Sequence, residues 1–456
     1  HIVANKSEEK TLLKGETFPV TEKVRNSPLD TLARTPPQNE SVHSGGLALN
    51  HFMRNELSHL DGNLQDSGTG GELIKLSRRK GRRFRREALR LKIRQDRSDE
   101  LGGLDEVFNY HDLYKAGKKC CNGVRWKQSV QNFERHLFSG TAARRRNLLS
   151  GKYKSKGYSR FMLRERGKTR VIDAPHIQDR QIQKVLTRKV LLPCYEPLLI
   201  YNNGASLKGK GLDFARRELE KDLHAHFKRY GLSGWVIVAD CQGFFPNASH
   251  EYIKAMHKSI KLDSKLCAML DSLLNAFTRG VPLGVEPSQV EMIAYPSRLD
   301  NYVTCQLELK AGHYMDDYYL LVPPDKNPNE ILRQFRAKAQ DNALIINESK
   351  THVIKFGRPF RFCKFKYAVS NTGRVIIHAG RDAVKRACTK LKKLKGKVKL
   401  TDIWAIVQSC SNYYSKSRDH GRILKLRRKF FKLYGFSSER YENFLEAGVN
   451  ERVYCA

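Results

Sequence analysis

The chain has 456 residues, with 84 Lys and Arg against 47 Asp and Glu, a formal net charge of +37 at pH 7. That length allows about three domains, and so large a basic excess points to a polyanionic partner, nucleic acid or an anionic membrane. No apolar run is long enough to span a bilayer, and the ten scattered cysteines form no C-x-x-C pair, so neither a membrane anchor, a zinc knuckle nor a disulfide framework is indicated.

With no secretory signal opening the chain, a cytoplasmic protein with reduced thiols is the expectation. Residues 1–75 are poor in aromatics and rich in Ser, Asn, Thr, Glu and Gly, and read as a disordered or loosely ordered leader. Composition then changes abruptly. Arg78, Arg79, Lys80, Arg82 and Arg83 belong to a basic arm over 76–105 that suits a nucleic-acid backbone, or else is a solvated linker.

From Asp112 the chain turns globular, with helices expected over 126–137 and 142–149. Phe161–Ile172 reads as a β-hairpin turning at Arg166-Gly167-Lys168, whose basic residues can neutralise phosphate oxygens. A helix begins near Asp179. Arg180 on it either reaches the same phosphates or pairs with neighbours of Asp179. In Tyr201–Gly211 the glycines permit close backbone approach, while Lys208 and Lys210 add charge. An amphipathic helix over 214–227 follows.

Trp235–Ala239 is a continuous apolar, β-branched run suited to a buried strand, and Asp240 closes it. An acid there is costly unless paired or metal-bound; the plainer reading is a helix cap or turn residue. Gly280–Gln289 joins helices expected over 264–277 and 289–295, with Ser288-Gln289 opening the second. Thr304–Leu309 alternates loosely, so two short strands are expected with Met315-Asp316-Asp317 at their turn. Acids are common in turns. On a rigid hairpin they are also oxygen ligands for a divalent cation, and two such sites together hold cations ~4 Å apart. Farther on come a helix over 328–343 and a strand pair over 360–369. Val384, Ala387, Cys388, Leu391 and Leu394 then recur at helical spacing, and with helices over 403–414 and 423–431 they make a small basic three-helix bundle.

Asp240-Cys-Gln-Gly-Phe-Phe, Gly280–Gln289 and Tyr314-Met-Asp-Asp317 resemble, in order, the three palm motifs of reverse transcriptases. The similarity is to bacterial members of the retron, group II intron, diversity-generating retroelement and phage-defence types, from about Asp112 to about Phe436. The resemblance implies an α+β right-hand polymerase. Its N-terminal extension and fingers would occupy 106–236, a palm of antiparallel sheet plus helices 237–370, a helical thumb 381–436 and a tail 437–456.

It also implies an RNA-directed DNA polymerase that copies an RNA template into cDNA. That template is expected to be an associated non-coding RNA of a bacterial or phage retroelement or antiviral defence system. Asp240, Asp316 and, more weakly, Asp317 would hold two Mg²⁺ ions, with Mn²⁺ as an alternative. Arg170, with Arg180, would hold the deoxynucleoside triphosphate, and Phe245 would exclude a 2′-hydroxyl unless it is a core ring like Phe244. Gly284 and Gln289 would contact nucleotide and template, although Leu283 and Val285 stand where the common pattern has Gln and Ser. Lys350 would be general acid on pyrophosphate, or a surface Lys near phosphate.

The expected partners are an RNA template, an RNA/DNA duplex and deoxynucleotides, without a membrane; the oligomeric state is open. Two other readings keep the same fold. One is a catalytically silent RNA-binding or splicing cofactor, the other a template-independent or protein-primed DNA polymerase.

Overall fold

The computed structural model describes residues 89–435 apart from 91, 166, 167, 261, 399, 416 and 418. The expected leader, the basic arm with Arg78, Arg79, Lys80, Arg82 and Arg83, the hairpin tip at Arg166-Gly167 and the tail 437–456 therefore lie outside the described residues, apart from the end of the arm.

After helical residues over 92–99 and a short helix at Leu104–Val107 come α1 (Tyr110–Cys121), α2 (Gln128–Arg135) and α3 (Leu137–Leu149). The Asn109 side chain caps α1 by accepting from the Asp112 amide. One helix was expected over 126–137. The chain instead leaves the helical region at His136, so that Val130 and Phe133 of α2 and Leu137 of α3 share a small core with Cys120, Cys121 and Ile177. Strands β1 (Tyr158–Glu165) and β2 (Lys168–Pro175) form the expected hairpin, and α4 (Ile177–Val185) follows. Helix α5 (Leu212–Tyr230) buries Phe214, Ala215, Leu219 and Leu223 along one face and leads into β3 (Trp235–Asp240).

After α6 (His250–Lys258) and α7 (Ser264–Asn275), α8 (Glu286–Ala294) begins earlier than the expected Ser288-Gln289 start. Pro287 explains this, because in a first turn its missing N–H costs no hydrogen bond and its φ is already helical. Helix α9 (Ser297–Asn301) runs on as a π-helical turn over Tyr302–Gln306. No strand forms over 304–309. Backbone bonds from Leu307 N to the Tyr302 carbonyl at 3.0 Å and from Leu309 N to the Val303 carbonyl at 3.1 Å keep this stretch wound, with Thr304 Oγ1 donating to the Asp300 carbonyl at 2.8 Å, so the chain extends only at β4 (Lys310–Tyr314).

Strand β5 (Asp317–Val322) returns, and Asn327 caps α10 (Pro328–Asp341). The remaining strands are β6 (His352–Lys355), β7 (Phe360–Phe362), β8 (Phe365–Val369) and β9 (Val375–Ala379), the last adding a third strand to the expected pair. The expected bundle is α11 (Arg381–Leu394), α12 (Leu400–Ser415) and α13 (His420–Tyr434).

The chain divides into two compact units. One joins the described residues up to Leu198 with Ser249–Ala294; the other joins Leu199–Ala248 with the described residues from Tyr295 on. In the second, an antiparallel sheet has the order β4-β5-β3-β6, and β7-β8-β9 form another. Its core runs from Leu219 and Leu223 of α5 through Val236, Leu321, Phe365 and Tyr367 to Leu391, Val407 and Leu426 of the bundle. Helices with antiparallel sheets make the α+β class expected.

Candidate active site

Pairing of β3 with β5 sets Asp240 opposite Asp317. Strand β3 is buried along nearly its whole length, and Asp240 itself is only 7 % exposed. On the other side β4 pairs with β5 up to Tyr314 and Asp317, leaving Met315-Asp316 as a two-residue loop. Such loops need a residue with positive φ, and here it is Met315, at +56°. A side chain there stores about 1 kcal/mol or more of strain, so the surroundings must hold the turn. Cys241 N donates to the Asp316 carbonyl at 3.0 Å, and His313 Nδ1 lies 3.1 Å from the Met315 carbonyl. The residue after Asp240 thus ties the turn beside it.

Burial raises Asp317, and the negative charges of Asp316 and Asp240 push it further, to about 6. Hard oxygen donors crowded until they repel one another fit a divalent cation, which would relieve the repulsion. Lys350 now supplies the opposing charge. Its Nζ donates to both carboxylate oxygens of Asp240, at 2.7 and 2.9 Å, and that bond raises its own pKa. Asn347 N reaches the Asp240 carbonyl at 2.8 Å, and Gln242 N the Ile345 carbonyl at 2.7 Å, which docks the Lys350 segment on the end of β3. Among the described residues no three His, Cys, Asp or Glu side chains are already gathered as a metal cage. A cation held by Asp240 would take the place of the Lys350 ammonium there.

Alternation along β5 sends Tyr318 and Tyr319 to opposite faces, and each phenol donates to a buried acid. Tyr318 reaches Asp300 Oδ1 at 3.0 Å, and Tyr319 reaches Asp222 Oδ2 at 2.9 Å. Asn202 Nδ2 also donates to Asp222, at 2.8 Å. Burial raises the Asp222 pKa, against the Tyr319 bond and the Lys310 charge. A Cβ on Gly312 would lie 2.8 Å from Asn202 Cβ and from the Tyr319 hydroxyl, so glycine is what lets the 202–204 loop lie against β4. The sequence does not single out Asp222, and it assigns no supporting role to Asp300 or to His313, Tyr318 and Tyr319 of the stretch around Asp316-Asp317. The available signals were an acid on the apolar face of α5 and another directly after buried Leu299.

Phe245 is half-buried beside the buried Phe244, with ring centroids 5.9 Å apart at 78°. Lys208 is exposed, whereas Lys210 folds back to donate to the Tyr201 carbonyl at 2.7 Å and covers the Tyr201 and Phe214 rings. Asp240, Asp316, Asp317, Lys350, Phe245, Lys208 and Lys210 therefore share one unit.

Arg170, Arg180, Gly284 and Gln289 lie in the other unit. Arg170 on β2 and Arg180 on α4 are exposed. Asp179 is bonded by Tyr153 Oη at 2.6 Å and Lys156 N at 2.9 Å. Gly284 has φ +105°, and a Cβ there would come within 3.2 Å of the Asp173 carbonyl; Asp173 N also donates to the Leu283 carbonyl at 3.0 Å. The loop therefore lies against the strand that carries Arg170, and α8 holds a half-buried Gln289 just beyond it. Elsewhere in this unit His257 is buried between Asp271 and Glu291, at 3.0 and 3.1 Å. Burial opposes its charging, but the two acids outweigh burial and hold it up to about 9.

A family model described as reverse transcriptase (RNA-dependent DNA polymerase) matches residues 154–385, just over half of the chain. Among solved structures, telomerase from Candida albicans in complex with a TWJ fragment of telomeric RNA aligns with a TM-score of 0.38 and 12 % identity, over 63 % of this chain and 57 % of that one. Apo telomerase from Candida tropicalis aligns with a TM-score of 0.39 and 12 % identity, over 64 % and 62 %. The chain spans less than two thirds of the length of these structures. No curated protein matches it.

Proposed function

The chain belongs to the reverse transcriptase (RNA-dependent DNA polymerase) family, and from that premise we propose that it copies an RNA template into cDNA at Asp240, Asp316 and Asp317. The observation that carries this reading is the pairing of β3 with the β4–β5 hairpin, which gathers three carboxylates at one sheet end. Two divalent cations bound there, Mg²⁺ or Mn²⁺, would lower the pKa of a primer 3′-hydroxyl and offset charge on the reacting phosphate. The protein's share is positional. Asp240 and Asp316 present oxygens from a rigid strand end and a pinned turn, and Asp317 completes the donor set.

Lys350 carries a proton within reach of Asp240 and is suited to pass one to departing pyrophosphate. The motif resemblance assigns Arg170 and Arg180 to the triphosphate, Phe245 to the sugar, and Gly284 and Gln289 to nucleotide and template. The fingers, palm and thumb boundaries drawn from the sequence are part of the same proposal. So are an associated non-coding RNA as template, a bacterial or phage retroelement or defence setting, a basic arm that docks the RNA, and a cytoplasmic location. The net charge of +37 supports a polyanionic substrate.

Primer extension tests this reading. With an RNA template, a DNA primer and Mg²⁺ or Mn²⁺, the protein should extend with deoxynucleotides in preference to ribonucleotides. No extension under either metal overturns it.

A further inference from the structure

We propose that His313 and Asp300 are positioning residues that set the backbone around Asp316, an inference that rests on the reading of Asp316 as a metal ligand. His313 is 1 % exposed, and the Asp300 side chain is fully buried. The imidazole bridges two acceptors, with Nδ1 3.1 Å from the Met315 carbonyl and Nε2 3.0 Å from Asp300 Oδ2. A carbonyl only accepts, so Nδ1 must donate. The other Asp300 oxygen takes the Tyr318 hydroxyl at 3.0 Å, and the His313 and Tyr318 rings stack at 4.6 Å and 9°. Asp300 therefore holds both strands of the hairpin, β4 through His313 and β5 through Tyr318.

Packing alone does not call for this arrangement. A buried acid, imidazole and phenol stabilise no better than apolar groups of the same size unless every bond is made. What the polar set adds is a bond to one particular carbonyl. The Met315 carbonyl and the Asp316 amide share a planar peptide unit, so fixing that oxygen fixes the approach to Asp316. The next peptide unit is fixed by Cys241 N on the Asp316 carbonyl, at 3.0 Å. Both peptide planes flanking Asp316 are thus held, one from β4 and one from the residue after Asp240. The strained φ of Met315, +56°, is the conformation that release of either bond would let relax.

The test compares His313→Ala, His313→Gln and Asp300→Ala with Val407→Ala, which destabilises a bundle helix instead. Amide hydrogen exchange over residues 314–318 is read in the metal-free full chain, beside thermal unfolding and primer extension. In His313→Ala, exchange at the turn should quicken by about tenfold or more. Turnover should fall about tenfold to a hundredfold, as for a misplaced catalytic group, while KM for primer–template stays within about twofold. His313→Gln, which can still donate to the Met315 carbonyl, should recover part of both effects. Asp300→Ala, which takes the acceptor from both His313 Nε2 and the Tyr318 hydroxyl, should quicken turn exchange as His313→Ala does. Val407→Ala should lower the melting temperature without either effect. Wild-type exchange at the turn in His313→Ala overturns the proposal, as does the same acceleration in Val407→Ala. An inactive wild type would defeat the polymerase reading instead, and the exchange data would still judge the pair.

Discussion

Two antiparallel hairpins, one bearing Asp316 and Asp317 and the other Arg170, are built in opposite ways. In β4–β5 the returning strand is buried from Tyr318 to Val322, each face is tied to a buried acid, and the turn is held on both sides of Asp316. In β1–β2 only the foot is buried, at Asp173 and Pro175, where Arg160 pairs with Asp173 at 2.8 Å. Its shaft exposes Phe161, Met162 and Val171 at 49, 74 and 47 %. A two-stranded ribbon gains little stability of its own. The difference follows the chemistry asked of each. The carboxylates proposed to keep a fixed spacing sit on a buried, hydrogen-bonded hairpin, where burial and then the neighbouring charges of Asp316 and Asp240 push Asp317 up to about 6. Arg170, proposed to meet a triphosphate arriving from water, is exposed on that ribbon.

The largest effect expected from breaking this contrast is on rate. Asp240→Asn or Asp316→Asn should lower RNA-templated synthesis by at least about a thousandfold, with Asp317→Asn costing less. Asp316→Asn should not lower the melting temperature, because it removes repulsion between like charges. An active Asp316→Asn protein would mean that the buried hairpin does not carry the chemistry.

Next comes a dependence on pH in the unit that carries the exposed ribbon. His257 is raised from 6.5 to about 9, so its contribution is complete below about pH 6.5 and is lost as pH rises through about 9. The full contribution is about 3 kcal/mol at most. Denaturant unfolding from pH 6 to 10 should show this loss in the wild type and a flatter profile in His257→Gln; parallel profiles would contradict it.

Smaller again is the stability difference between the two hairpins. Tyr319→Phe, which strips a hydrogen bond from buried Asp222, should cost about 1.5–3 kcal/mol. Val171→Thr on the ribbon should change stability by no more than about 0.5 kcal/mol. Equal costs would erase the distinction. Last, Arg170→Ala should raise the KM for deoxynucleotide about tenfold with unfolding unchanged; an unaltered KM would remove Arg170 from the triphosphate.

The carboxylates were legible because their signal is local. Asp240 ends an unbroken apolar run, and Asp316-Asp317 stand in an aromatic and apolar stretch, so strand pairing had only to bring two marked places together. The approach to the hairpin was misread for the opposite reason. Thr304 and its neighbours alternate like a strand, but the preceding helix runs on through them as a π-helical turn, and that continuation leaves no trace in periodicity. Ser288 looked like a cap while Pro287 held the real first turn. Asp222 and Asp300 were invisible as supports because their partners, Tyr319 and Tyr318, lie 97 and 18 residues away. Only the pairing of β4, β5 and β3 gives those acids a meaning.

The most direct test of a template-copying enzyme is to sequence all nucleic acid that co-purifies with the protein from its host, beside Asp316→Ala. The wild type should hold a defined cDNA complementary to one RNA, and the variant only the RNA. If both hold the same RNA and no DNA, even with Mg²⁺ and deoxynucleotides supplied, the copying role is contradicted and an RNA-binding scaffold takes its place.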